Sequence, residues 1–212
     1  MPYTSGMSLF VKICGIARAV DAEAAAALGP DALGFVFHPS SPRAVRPAQV
    51  RAWSAAIPPT ILKVGVFVDV PPDRVSEIAR EAGLDVAQLH GRETPEAARA
   101  SWPRTWKALP VDDELENAAG LPWPCEALLL DTPGGPMPGG TGRAADWTHA
   151  AAFVQNAPLR VILAGGLGPD TVASAVRAVR PWGVDASSAL ESQPGRKDAA
   201  RMKDFVQLCR TL

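Results

Sequence analysis

The chain has 212 residues, 47 % of them hydrophobic and 20 % charged, with a formal net charge of −1. A globular chain of this size buries roughly 70 % of its unfolded surface, so it needs no metal or disulfide staple. The near-zero charge and lack of a long basic run exclude a nucleic-acid or polyanionic surface role, and no apolar run approaches the ~20 residues of a membrane span.

Residues 1–8 read as an N-terminal extension and residues 9–212 as one domain. The opening MPYTSGMSLF has no charged stretch followed by an apolar core, so it is not a secretory signal, and a cytoplasmic protein is expected. Short β-rich runs then alternate with alanine-rich helical runs. Strands are expected at 9–15, 32–37, 61–68, 85–90, 105–109, 126–131, 159–164 and 182–188, and helices at 17–28, 47–56, 72–82, 94–100, 112–119, 146–154, 169–179 and 197–212. Thr94 before Pro95 is a good helix start, and Pro169 follows a glycine turn. Runs such as ILKVGVFV and RVILA are apolar nearly throughout, as strands are when helices cover them.

Eight strand–helix units give either a closed (β/α)8 barrel or an open doubly wound sheet. A dinucleotide-binding open sheet shows G-x-G-x-x-G after its first strand, whereas KICGIAR holds one glycine. The expected fold is therefore a single-domain (β/α)8 TIM barrel. The Gly/Pro-rich stretch at 132–145 reads as a loop after strand six and the natural lid.

In such barrels the C-terminal strand ends carry the active site. Those ends bring forward Cys14, the HPSSPR loop, Asp69, His90, Pro110, Asp131, Gly165–Gly166 and Ser187–Ser188. The AGGLG turn after strand seven and the serines after strand eight offer backbone N–H groups and hydroxyls to a phosphate; separately, they are equally well a turn and helix caps. A cysteine in a strand is commonly a small buried hydrophobe. Cys14, however, ends strand one beside Gly15 and a helix start, which would lower its pKa from about 8.5 and favour a thiolate base. Asp131 follows three leucines, directly before the lid; lid closure would desolvate it and keep a proton for donation. Such a pair on strands one and six suits proton transfer between two atoms of one substrate.

Lys12 shares strand parity with Cys14, so it should point into the barrel and pair with Asp185 on strand eight; the alternative is a lysine lying outward between helices. Arg43 either forks onto a substrate carboxylate or is a solvated loop arginine. His90 lines the mouth, and His149 is expected to face solvent. His38, His90 and His149 have no metal-binding spacing, and Cys14, Cys125 and Cys209 suit neither zinc nor a disulfide framework. The six tryptophans are expected to pack helices.

The ordered set VKICGI (11–16), ALGFVFHPSSPR (32–43), KVGVFVD (63–69), QLHG (88–91), LLLDT (128–132), PGGTG (138–142), LAGGL (163–167) and GVDASSALES-x-PG-x-KD (183–198) resembles phosphoribosylanthranilate isomerases over essentially the whole chain after about residue 8. That resemblance implies an Amadori rearrangement of N-(5′-phosphoribosyl)anthranilate to 1-(2-carboxyphenylamino)-1-deoxyribulose 5-phosphate, in tryptophan biosynthesis. It implies that Asp131 is the general acid and Cys14 the general base. Arg43 would sit near the anthranilate, and Gly165, Gly166, Ser187 and Ser188 would bind phosphate. No cofactor is implied, because the substrate nitrogen is the electron sink. Ala189 stands where the family usually has glycine, and His38 where a tyrosine is usual. The competing readings are another phosphosugar-binding barrel isomerase and a non-catalytic sensor of a phosphate ligand. The partner expected is a small phosphosugar, with no nucleic acid or membrane, on a monomer or homodimer.

Overall fold

Aliphatic strands that must hide both faces have one compact solution here, closure on themselves inside a sleeve of helices. The computed structural model describes residues 8–131 and 147–212. Eight parallel strands form a closed barrel: β1 (Phe10–Ile13), β2 (Ala32–Val36), β3 (Leu62–Phe67), β4 (Val86–Leu89), β5 (Thr105–Pro110), β6 (Ala127–Asp131), β7 (Arg160–Ala164) and β8 (Gly183–Ala186). The helices between them are α1 (Ala19–Ala27), α2 (Pro47–Trp53), α3 (Pro72–Ala82), α4 (Pro95–Ser101), α5 (Leu115–Ala119), α6 (Trp147–Asn156) and α7 (Val172–Val179), and α8 (Ala199–Thr211) follows β8. No helix among the described residues is long and apolar enough to cross a membrane.

Each strand sits within a residue or two of its expected place, and the differences fall at helix starts. Thr94 accepts a hydrogen bond from the Ala97 amide and caps α4, with Pro95 in its first turn. The helix expected from 169 begins only at Val172, because residues 168–171 form a turn in which the Thr171 hydroxyl accepts from the Gly168 amide. The helix expected from 197 begins at Ala199. Before it, β9 (Glu191–Gln193) and β10 (Arg196–Lys197) pair as an antiparallel hairpin around Pro194 and Gly195, and Gly195 has a φ of +78°.

Two sets of apolar side chains follow from strand alternation. Residues facing outward pack against the helices as the large core. Those facing inward include Ala32, Val64, Val86, Trp106, Ala108, Leu129 and Ile162, with Phe10 and Trp182 at their border. The tryptophans therefore do more than pack helices. Trp106 fills the barrel interior at 2 % exposure and meets the Phe10 ring edge-on, while Trp182 stacks on Phe10 at 4.4 Å. These rings plug the bottom and leave the polar chemistry to the top.

On the outer side of β5, Lys107 is buried and donates to Glu93 at 2.7 Å and to the Gly91 carbonyl at 2.6 Å. Glu93 also accepts from the amides of Asp69 and Gly91. Asp69, at φ +52°, in turn accepts from the Arg92 amide. One buried carboxylate thus ties together the loops after β3 and β4, next to His90. Removing its cation would strand a charge in the interior, which commonly costs about 3–5 kcal/mol. Lys107→Met should therefore lower the urea-unfolding free energy by about that amount, and a loss within the error of the extrapolation would show that Glu93 does not depend on Lys107.

Candidate active site

At the C-terminal mouth lies a cavity of about 400 Å³. Cys14, at the end of β1, and Asp131, the last residue of β6, both line it. Between β6 and β1 around the closed barrel stand β7 and β8. Gly165 and Gly166 follow β7, Ser187 and Ser188 follow β8, and all four line the same cavity, as do Arg43 and His90. The two loops thus lie between the thiol and the carboxyl on one arc of the rim.

Local conformation explains the loop shapes. Gly165 and Gly166 take φ values of +91° and +65°, which side chains disfavour. Gly15, at φ +75°, is where three loops converge: a Cβ there would lie 2.6 Å from Arg43 Cδ and 2.8 Å from Ser187 Oγ. Ser188 opens a short 3-10 turn, Ser188–Leu190. The Ala189 methyl packs against Gly168, only 2.8 Å from where a side chain on that residue would begin. The methyl that departs from the family's usual glycine thus fills a gap between the loops after β7 and β8.

Cys14 is 8 % exposed, and burial pushes its thiol up, against the opposing pull of Lys12. This corrects the expectation of a thiol lowered by a nearby helix start: α1 begins only at Ala19. Lys12 is fully buried and donates to Asp185 at 2.7 Å, across strands whose register sets these two residues side by side. Asp131 is half exposed and lies 3.3 Å from His90 Nε2. The Gln88 amide nitrogen is 3.1 Å from His90 Nδ1. With the amide NH2 donating there, the ring carries its proton on Nε2 and donates to Asp131. The lid at 132–145, whose closure was expected over Asp131, lies outside the described residues.

Arg43 is not a solvated loop residue. Its Nε and Nη2 donate to the two carboxylate oxygens of Glu191 at 2.8 and 2.7 Å, so that edge of the fork is already occupied. Glu191 also accepts from Lys197, at 2.9 Å, and Lys197 donates to the Ser187 carbonyl at 3.0 Å. Glu191, Lys197 and Gln88 are the residues that reading the sequence missed. The signal for the first two was Pro-Gly between a glutamate and a lysine, a hairpin that sets charges across from each other. Gln88 shares parity with His90, which places it in the barrel. His149, expected to face solvent, is half-buried against Glu116 at 2.9 Å. Among the described residues no cluster of three or more metal-ligating side chains forms.

A parallel barrel whose C-terminal mouth gathers a carboxyl, a thiol and two glycine- and serine-rich loops on one cavity has the architecture of a TIM-barrel enzyme. The family model described as N-(5′-phosphoribosyl)anthranilate (PRA) isomerase matches residues 11–208, and the chain belongs to that family. It is an isomerase of tryptophan biosynthesis. It is 47 % identical over 197 residues to N-(5′-phosphoribosyl)anthranilate isomerase of Geobacter sulfurreducens, covering 93 % of this chain and 96 % of that one. The crystal structure of phosphoribosyl anthranilate isomerase from Thermotoga maritima superposes with a TM-score of 0.84 at 37 % identity, over 96 % of this chain and all of that one. A phosphoribosyl anthranilate isomerase solved in complex with reduced 1-(o-carboxyphenylamino)-1-deoxyribulose 5-phosphate superposes at 0.81 and 34 % identity, over 96 % of this chain and 100 % of that one.

Burial works against the Glu191 charge, but hydrogen bonds from Arg43 and Lys197 hold its carboxylate below the usual glutamate range. A carboxylate depressed in the folded state adds stability above its unfolded pKa, and that stability is lost as pH falls through the folded value. Glu191→Gln should therefore lower stability at neutral pH and flatten its decline below the usual glutamate range, measured by urea unfolding from about pH 7 down to about pH 2. Parallel curves for the two proteins would contradict this.

Proposed function

We propose that the chain converts N-(5′-phosphoribosyl)anthranilate to 1-(2-carboxyphenylamino)-1-deoxyribulose 5-phosphate with Asp131 as general acid and Cys14 as general base. The observation that carries this is the order around the mouth, carboxyl on β6, anion loops after β7 and β8, thiol on β1, all on one cavity. A ligand fixed by its phosphate at Gly165, Gly166, Ser187 and Ser188 extends over the mouth with an acid on one side and a base on the other. Holding both groups against one substrate replaces encounters in solution.

Asp131 gives its proton to the furanose ring oxygen as the C1′–O bond breaks, and the nitrogen lone pair closes the C1′=N bond of the Schiff base. The Nε2–H of His90 then supports the carboxylate left behind. The Cys14 thiolate takes the C2′ proton, and its electron pair forms the C1′=C2′ bond of an enolamine, which tautomerises to the C2′ ketone with a proton added at C1′. The positively charged iminium nitrogen makes the C2′ proton acidic enough for a thiolate, so no cofactor enters the scheme. Arg43, steadied by Glu191, places its positive charge at the end of the mouth assigned to the anthranilate carboxylate.

The test is turnover of freshly generated phosphoribosylanthranilate followed by the anthranilate fluorescence. Wild-type protein should consume the fluorophore, whereas a sensor on the same fold would bind without consuming it. Cys14→Ala and Asp131→Asn should each lower kcat by at least ~10², the lower end of acid–base contributions. Near-normal turnover by either variant would remove that residue from its role.

A further inference from the structure

The thiol assigned as base is one that burial holds protonated, so something beside it must make a thiolate attainable. Among the described residues four charged groups act on it: Lys12 on its own strand, Asp185 on β8, Lys197 on β10, and Arg43 from the loop after β2. Lys197 and Arg43 both donate to Glu191. Lys12 differs. Its ammonium has three donors, and among the described residues its one hydrogen-bonded oxygen is Asp185 Oδ2.

The remaining donors are close to the thiol. Sγ of Cys14 and Nζ of Lys12 press on the same face of Gly34: a Cβ on that residue would lie 2.6 Å from the sulfur and 3.1 Å from the nitrogen. Residues 12 and 14 point to the same side of β1, and Gly34 on β2 makes the space they share. A buried ion pair is a poor way to gain stability, since apolar side chains of similar volume in its place are often neutral or stabilising. Lys12 and Asp185 sit directly above a barrel layer that is otherwise aromatic and aliphatic.

We propose that Lys12 is a positioning residue for Cys14: its ammonium, anchored by Asp185 across the β1–β8 seam, is the counter-ion against which the thiolate forms. On ionisation the S–H proton leaves through the cavity to solvent, and the ammonium stays charged. Burial alone would weaken that charge, but Asp185 and Cys14 together more than offset it and raise the lysine above its ordinary value. Asp185 has a double effect. It keeps Lys12 charged and in place, and its own negative charge opposes a second anion beside it.

The catalytic weight of this inference rests on Cys14 being the base, but its test needs no substrate. The pH dependence of Cys14 alkylation by iodoacetamide, read by peptide mass spectrometry, gives the thiol midpoint in wild-type protein, Lys12→Met, Asp185→Asn and the double variant. Lys12→Met should move the midpoint to higher pH by about one unit, a tenfold smaller thiolate fraction at a given pH below it. Asp185→Asn should move it to lower pH, and the double variant should lie between the two. Cys125 and Cys209, pushed up to about 11 and about 12 by burial, report unfolding if they become reactive near neutral pH. An unchanged midpoint in folded Lys12→Met, or a shift in the same direction in both single variants, would overturn the proposal. If Lys12→Met does not fold, Lys12→Gln takes its place, and an unchanged midpoint in that folded variant refutes the counter-ion. A failure of Cys14 as base shows instead as normal turnover by Cys14→Ala, whatever the midpoints are.

Discussion

A sheet of parallel strands has no resting place for its two edges until the first strand meets the last. Here that seam is β1 against β8, with Phe10 beside Gly183 and Lys12 beside Asp185. At its lower end the space opposite Gly183 is filled by the Phe10 side chain, and a Cβ on Gly183 would lie 2.9 Å from Phe10 Cβ. At its upper end an ion pair replaces apolar contact. The join therefore does two jobs along a few residues: it shuts the barrel below and charges it above. Every other element of the mouth is arranged around that change from hydrocarbon to charge.

Charge burial is handled by sharing. Glu93 serves Lys107 and the amides of two loops, while Glu191 serves Arg43 and Lys197. Neither carboxylate is spent on one partner, so each fixes several backbone segments at once and recovers part of its lost hydration. The first network frames the loops beside His90, and the second holds the Ser187 carbonyl through Lys197. Loops rich in glycine need such bracing, because their glycines otherwise leave them too many conformations.

Much of this was legible in the residues. Strand positions followed from apolar runs, and α3 lies at its expected bounds, with Pro72 in its first turn and Gly83, at φ +70°, at its end. The Lys12–Asp185 pair followed from parity and from the adjacency of the first and last strands in a closed barrel. Helix starts were less visible where side-chain turns intervene, as at Thr171 and in the Glu191–Lys197 hairpin. The fork of Arg43 on Glu191 joins residues 148 positions apart, and nothing local in either segment announces it. The direction of the Cys14 shift was misjudged for a related reason. A helix start close in sequence was weighed, whereas desolvation depends on everything that closes over the sulfur.

The contact between Ala189 and Gly168 has a consequence of its own. The two positions have room for one methyl group between them, and it is irrelevant to the space which of the two backbones supplies it. They form a single steric unit spread over two loops, so the residues permitted at one are fixed by the occupant of the other. With glycine at 189 the methyl of an alanine at 168 would find that space open, and with alanine at 189 it would not.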